Sequence, residues 1–139
     1  MRKLSYLDLV MRSVFVTGTN LAKVTGVVIS TLRFFPSREE RRDVLTILRS
    51  VQGPIEAQPH NQCCRVYEED GFEGAILYME RWDSEPEFER HVRSELYRRI
   101  LAALDFSHKP PEVIFDFVTV TKGMDLIQAV RGEPEQSEI

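Results

Sequence analysis

Two apolar strand patterns are each followed by a helix signal, and this repeated unit organises the chain. Residues 27–35 (VVISTLRFF) are apolar on both alternating faces, which predicts a buried β-strand. Ser37 and Glu40 form a capping box for a first helix, and Gly53 with Pro54 is predicted to end it. The apolar stripe of this helix is Val44, Leu48, Val51 and Ile55.

The second unit runs from a strand at residues 75–82 into a helix that is predicted to continue to Leu104. Ser84 is a good N-cap, and Glu87 stands three residues later, where the two side chains can satisfy amides of the first turn. The apolar stripe of this helix is Phe88, Val92, Leu96, Ile100 and Ala103.

Two further strands complete the predicted fold. Residues 63–68 form a strand, and the turn at residues 69–71 joins it to the strand at 75–82. Residues 113–120 form the last strand, and a short helix at 123–130 follows. The order βαββαβ predicts a ferredoxin-like α+β fold, with a four-stranded antiparallel sheet and both helices on one face. The first and third strands are expected to be central.

Segments outside this domain have a different character. Residues 1–26 read as an arm and linker, 27–121 as the domain, and 122–139 as a short helix with a polar tail. Asp8 and Arg12 interrupt any signal-peptide core, and no apolar run approaches the roughly 18 residues of a membrane helix. The arm instead has apolar residues at helical spacing: Leu4, Leu7, Val10, Met11 and Val14.

Charge separates the arm from the body. The net charge is −4 over 139 residues, but residues 1–26 hold four basic side chains and one acidic one. The arm is therefore +3 and the rest of the chain −7. An acidic body without a run of Lys and Arg argues against nucleic-acid binding.

The two cysteines are adjacent, at Cys63 and Cys64, in a predicted strand. Their side chains should point to opposite faces of the sheet. Neither CxxC nor HxxxH spacing occurs, so the sequence predicts free thiols in a reducing compartment, a cytoplasmic location and no metal site.

The run E-x-W-D-S followed by F-x-x-H-x-x-S, from Glu80 to Ser94, together with the βαββαβ order, resembles the antibiotic-biosynthesis-monooxygenase family of dimeric α+β barrels. The resemblance spans residues 27–121. It implies a pocket between sheet and helices, and oxidation of quinols or polyketide phenols without metal or flavin. The same family holds isomerases, haem-degrading enzymes and proteins of no known reaction.

His91 matches the helix histidine of that run. Many members carry a second histidine five residues later, and this chain has Leu96 there. Haem-degrading members place an iron-binding histidine ten residues later, where this chain has Leu101. The resemblance therefore implies neither haem nor another cofactor.

His91 has two interpretations from the sequence. It lies at the margin of the apolar stripe, which favours a surface or boundary position beside Glu87 or Glu95. As a pocket residue, a neutral imidazole can take a phenolic proton, which makes His91 the candidate catalytic base.

The candidate substrate-binding residues are Arg33, Tyr78, Trp82, Ser94 and Tyr97. Tyr78 and Trp82 share a strand face and serve either as core or as a platform for an aromatic substrate. Arg33 either pairs with Glu80 on a neighbouring strand or holds an anionic substrate oxygen. Tyr97 is typical of a packing residue with a solvated hydroxyl.

The first and last strands are apolar on both faces, whereas two helices cover only one face of a sheet. Burial of the other face predicts a homodimer packed sheet to sheet. For function, a cofactor-independent monooxygenase acting on a small phenol or quinol stands beside a non-catalytic ligand-binding or assembly module, and an isomerase using His91 as a proton shuttle. A cavity reaching His91 favours the enzymes, and a filled interior favours the module.

Overall fold

A computed structural model describes residues 26–71 and 74–132 of the protein. The predicted arm helix at residues 4–14 and most of the polar tail lie outside the described residues. The elements are β1 (Val27–Phe34), α1 (Arg41–Glu56), β2 (Asn61–Glu68), β3 (Ile76–Trp82), α2 (Glu85–Val92), α3 (Glu95–Leu104), β4 (Glu112–Val118) and α4 (Met124–Arg131). This order confirms the predicted ferredoxin-like α+β plan.

The four strands form one antiparallel sheet in the order β2-β3-β1-β4. The prediction that the first and third strands are central is confirmed. Ser30 of β1 lies opposite Glu80 of β3 and opposite Phe115 of β4. Because directly opposite side chains project to the same side of a sheet, this register assigns every strand position to one of two sides.

The helices cover one side of the sheet, here called the helix side. Alternate residues of β1 and β3 are buried there, while the intervening residues on the open side are half-buried. The helix-side core of β1 and β3 consists of Val28, Leu32, Phe34, Ile76, Tyr78 and Trp82. Each such apolar side chain contributes about 1.5–3 kcal/mol by leaving water, so this layer fixes the strand register.

The first helix differs from the sequence prediction at both ends. The Ser37 hydroxyl accepts from the Glu40 amide at 3.3 Å, but the helix begins only at Arg41, and its N-cap Glu40 makes no side-chain cap. At the other end the helix continues through Pro54 to Glu56. Ile55 is fully buried, and the Ala57 amide donates to the Gly53 carbonyl, so core packing and this bond outweigh the proline.

The predicted single helix from residue 84 to residue 104 is wrong, because the chain breaks it at Ser94. The Ser94 hydroxyl accepts from the Tyr97 amide at 3.2 Å and donates to the His91 carbonyl at 2.6 Å. These side-chain bonds replace backbone bonds of a continuous helix, so α2 ends at Val92 and α3 starts at Glu95. The predicted Ser84 cap is confirmed, with its hydroxyl accepting from the Glu87 amide.

The last strand stops at Val118, two residues before the predicted end, and remains largely exposed. The following helix α4 also exposes its apolar residues: Met124, Leu126, Ile127 and Val130. None of the helices in the described ranges is long and apolar enough to cross a membrane.

Candidate functional site

Glu80 is the centre of a buried polar cluster on the helix side of β3. One carboxylate oxygen accepts from the Tyr78 hydroxyl at 2.5 Å, and the other accepts from the Trp82 indole N–H at 2.7 Å. The two-residue period of a strand places all three side chains on the same side. The Glu80 side chain has no exposed surface, so the cluster replaces the water that a carboxylate otherwise binds.

His91 completes the cluster from the last turn of α2. Its Nε2 atom lies 2.8 Å from Glu80 Oε1, and neither side chain is exposed. The ring N–H is not aligned for a hydrogen bond at this approach, so the contact is chiefly electrostatic. Among the described residues, His91 Nδ1 has no hydrogen-bond partner although it is buried.

Aromatic rings surround the imidazole and connect it with the surface. The Trp82 ring centroid lies 4.8 Å from that of His91, and the Tyr97 ring meets the imidazole edge-on at 5.2 Å. Phe88 lies 6.5 Å from Trp82 and 5.6 Å from Phe115 on β4. These rings form a continuous path from the exposed Phe115 to the buried His91.

Two further ionisable groups extend the cluster along the sheet. The Cys64 thiol of β2 donates to the Tyr78 hydroxyl at 3.2 Å. Burial, together with the charge of Glu80, raises the pKa of Cys64 to about 12 against the opposing effect of Tyr78. Burial, and then Glu80, also raises the pKa of Tyr78 above its ordinary value. Both groups therefore keep their protons near neutral pH.

Tyr97 stands on the other side of the imidazole. Burial first, and then the charge of Glu80, raises the pKa of Tyr97, while the Ser30 hydroxyl lowers it. Ser30 Oγ faces Tyr97 without an aligned hydrogen bond. Tyr97 is 2% exposed, so the prediction of a solvated hydroxyl is wrong.

The structure brings Tyr78, Trp82, Tyr97 and His91 together and separates Arg33 from them. Arg33 lies on the open side of β1, and its guanidinium pairs with Glu69 and, at 3.2 Å, with Glu112. The predicted pairing of Arg33 with Glu80 is wrong, because the two side chains project to opposite sides of the sheet. The pairing with Glu69 and Glu112 raises the pKa of Arg33.

The surface interpretation of His91 is also wrong, because the imidazole is buried in the core although α2 ends one residue later, at Val92. Its carboxylate partner is Glu80, rather than Glu87 or Glu95. Ser94 itself is a helix cap, with both described hydrogen bonds to backbone groups.

Glu80 and Cys64 belong to the cluster although neither was predicted from the sequence as a site residue. Every second residue of β3 is buried, and Glu80 lies at such a position between Tyr78 and Trp82. The alternation of the strand could therefore have predicted that Glu80 is buried. Both neighbours carry a proton donor that needs an acceptor when buried. The sequence contains no similar signal for Cys64, because only the pairing of β2 with β3 brings its thiol to the cluster.

An open cleft of about 620 Å³ lies at another part of the surface. Its lining is Pro36, Ser37, Arg38, Arg41, Glu69, Gly71, Gly74 and His108. Gly74 has a left-handed φ of 83°, a conformation that residues with a side chain rarely adopt. Within the residues that the structure describes, no group of three His, Cys, Asp or Glu side chains could hold a metal ion.

Fold and site together define a ferredoxin-like α+β protein with an ionisable cluster between sheet and helices. The sequence model of the family described as antibiotic biosynthesis monooxygenase matches residues 27–103, more than half of the chain. The protein belongs to this family, which confirms the resemblance seen in the sequence. Membership supports a monooxygenase-type role in general.

Solved structures share the fold at low sequence identity. Rv0793 from Mycobacterium tuberculosis is 20% identical, with a TM-score of 0.62 over 70% of this chain and 99% of its own. A conserved protein from Methanosarcina mazei is 16% identical, with a TM-score of 0.61 over 68% and 94%. A candidate antibiotic biosynthesis monooxygenase from Caulobacter crescentus is 11% identical, with a TM-score of 0.63 over 70% and 94%. The comparison with curated proteins finds no match.

Proposed function

We propose that the protein oxidises a small phenol, quinol or polyketide-like aromatic with O₂, using His91 as the general base and no metal or flavin. The observation that carries the proposal is the buried Nδ1 atom of His91, which has no hydrogen-bond partner among the described residues. An unsatisfied buried polar atom is uncommon and marks a place where a ligand can bond. A substrate hydroxyl is the partner we assign to it.

Glu80 gives the imidazole the tautomer that this role needs. A carboxylate beside Nε2 favours the proton on that nitrogen, which leaves the lone pair of Nδ1 free to accept a proton. When the base becomes an imidazolium, the same carboxylate stabilises the new charge in a site without water. Glu80 is therefore a positioning residue, since it acts through His91.

The chemistry balances without an external reductant. Transfer of the phenolic proton to His91 leaves an electron-rich anion that can pass electrons to O₂. One oxygen atom enters the product as a new carbonyl or hydroxyl, and the other leaves as water. The substrate supplies all four electrons and is itself oxidised, for example from a quinol to a hydroxyquinone.

Substrate entry needs a conformational step, because the His91 side chain has no surface exposed to solvent or to a water-sized void. Phe88 stands between the imidazole region and the exposed Phe115. We propose that rotation of Phe88 admits the aromatic substrate between α2 and β4. Stacking on Trp82 then replaces the ring contacts that Phe88 gives up.

Oxygen uptake with a panel of quinols and naphthols tests the proposal. His91→Ala is expected to lower the rate by about 10²–10⁴, the usual contribution of a general base. His60→Ala is the matched control, because the His60 side chain is exposed and its Nδ1 atom contacts Asp83 at the surface, at 2.9 Å. Absence of uptake in the unmodified protein, or full activity of His91→Ala, contradicts the proposal.

We also propose that the protein is a homodimer in which two open sides face each other. Half-buried apolar side chains on the open side support this arrangement: Val27, Ile29, Leu77 and Met79. An apolar face left in water costs roughly 25 cal/mol per Å², and packing against a second copy removes this cost.

Light scattering tests the dimer. It should give twice the chain mass for the unmodified protein and for the control Thr46→Glu, at an exposed position of α1. Ile29→Glu, on the open side, should give the mass of one chain. A monomeric unmodified protein would contradict the dimer proposal.

A non-catalytic ligand-binding module is the second candidate. Two observations favour it: the filled interior around His91 and the open cleft beside Arg41. In this case ligands bind at the cleft, and Arg41→Ala weakens binding while His91→Ala does not. Isothermal titration with the same aromatic panel distinguishes the two functions, because the oxygenase requires binding that depends on His91.

A further inference from the structure

We propose that the arm formed by residues 4–14 docks, within the same chain, on the helix side of β4. This surface, here called the β4 shelf, consists of Val113, Phe115 and Phe117. The proposal does not rest on the oxygenase function, because it concerns what covers an apolar surface of the fold.

The β4 shelf is exposed where its neighbours are fully buried. Phe117 lies opposite Val28 in the sheet, yet it is 53% exposed whereas Val28 is 0% exposed. Phe115 lies opposite the buried Ser30 and is 40% exposed. The described helices therefore bury β1 but leave the shelf partly exposed. Three adjacent large apolar side chains on one strand mark a docking surface.

The sheet-to-sheet contact of the proposed dimer does not cover this surface. The second copy faces the open side of the sheet, and the shelf faces the opposite direction. Another segment is therefore needed to cover the shelf, and the arm carries five apolar residues at helical spacing.

The chain enters the sheet at the correct end of the shelf. Val27, the first residue of β1, lies opposite Val118, the last residue of β4. Residues 15–26 can span up to roughly 40 Å when extended, whereas β4 is only about 23 Å long. A helix over residues 4–14 is about 16 Å long. The arm therefore reaches the shelf of its own subunit and fits along it.

Charge favours the same occupant. Residues 1–26 carry a net charge of +3, and the remainder of the chain carries −7. Helix α2, which borders the shelf through the contact of Phe88 with Phe115, has three glutamates and one arginine. Residues 4–14 are themselves neutral, with Asp8 and Arg12, and the basic residues that flank them, Arg2, Lys3 and Lys23, are complementary to the acidic helix beside the shelf.

Thiol protection in the full-length chain tests the docking. In a Cys63→Ser background, Phe115→Cys should react with iodoacetamide at least about tenfold more slowly than Thr46→Cys, a factor equal to about 1.4 kcal/mol. The arm variant Val10→Asp should remove the protection. Ser13→Asp adds the same charge off the apolar stripe and should leave it unchanged. Val113→Cys serves as a second probe if Phe115→Cys does not fold.

Cross-linking decides which chain supplies the arm. Val10→Cys combined with Phe115→Cys should give, with a short bifunctional thiol reagent, a product of one chain mass. A product of two chain masses assigns the arm to a second copy and overturns the proposal. Reaction of Phe115→Cys as fast as Thr46→Cys, or protection that survives Val10→Asp, also overturns it.

Discussion

Strands β3 and β4 both depart from the usual pattern of burial, since β3 buries a charged side chain and β4 exposes aromatic ones. In β3 the carboxylate of Glu80 is completely buried, whereas in β4 the ring of Phe117 is 53% exposed. Both strands were predicted from apolar content, and both contribute residues to the helix side of one sheet. Helix coverage accounts for the difference, because α2 contacts β1 and β3 and leaves most of β4 open.

A buried polar residue and an exposed apolar residue are the informative exceptions to ordinary burial. Glu80 remains in the core because Tyr78, Trp82 and His91 surround its oxygens. Phe117 has no comparable cover among the described residues. The first exception therefore points to chemistry inside the domain, and the second points to association on its surface.

Replacing Glu80 tests the buried half of this comparison and should have the largest effect. Glu80→Ala leaves the Tyr78 hydroxyl and the Trp82 N–H without their acceptor, and His91 without its charged neighbour. We expect a loss of about 3–5 kcal/mol in the free energy of unfolding, as for a broken buried charge network. Urea denaturation measures it.

Glu112→Ala on β4 is the matched control. Glu112 is half-exposed and pairs with Arg33 at the surface, so its removal should change stability by no more than about 0.5 kcal/mol. Equal losses for the two variants would abolish the distinction between the strands.

Alkaline pH provides a second test, with an effect of intermediate size. The folded protein keeps the Cys64 proton up to a pKa of about 12, whereas the unfolded chain releases it near 9.0. The folded state thus binds more protons between these values, so this contribution is complete below pH 9 and is lost as pH rises. Each such proton contributes a slope of about 1.4 kcal/mol per pH unit.

Unfolding curves for Cys64→Ala should therefore show a shallower alkaline decline than the unmodified protein. Cys63→Ala, which removes the adjacent half-exposed thiol, should keep the original slope. Parallel declines in all three proteins would show that the Cys64 proton does not contribute to stability.

The smallest predicted effect concerns Ser94, at the break between α2, which carries His91, and α3. Ser94→Ala removes the cap of α3 and should cost about 1 kcal/mol. Thr46→Ala, at an exposed position inside α1, should instead be neutral or slightly stabilising, because Ala is the better helix former. Thermal unfolding measures both, and an unchanged midpoint for Ser94→Ala would contradict the capping role.

The sequence was sufficient for the element order, the central strands and the family. The two-residue alternation in β1 and β3 and the Ser84 cap depend only on residues close together in the sequence, so they could be predicted without the fold. The break at Ser94 was missed because a serine in an amphipathic run is compatible with a helix until its hydroxyl binds backbone. The first helix was predicted to end at Gly53 and Pro54, because the sequence pattern does not show the tertiary packing that buries Ile55 and continues the helix.

The site was harder to predict because its members meet only through the fold. Tyr78 and Trp82 were identified from their shared strand face, but the same alternation also implied Glu80. The side of the sheet to which Arg33 projects follows from the β1–β3 register, which separates it from His91. Helical spacing placed His91 at a boundary, since the spacing contains no information about a carboxylate on another element.

The neighbouring thiols on β2 give the protein a ready-made attachment point for a spectroscopic label. Cys64 is buried and keeps its proton, whereas Cys63 projects from the open side and is half-exposed. A maleimide spin label would therefore attach to one native position without mutagenesis. Because the proposed dimer packs the open sides together, the rate of this labelling reaction would report whether two copies associate through their sheets.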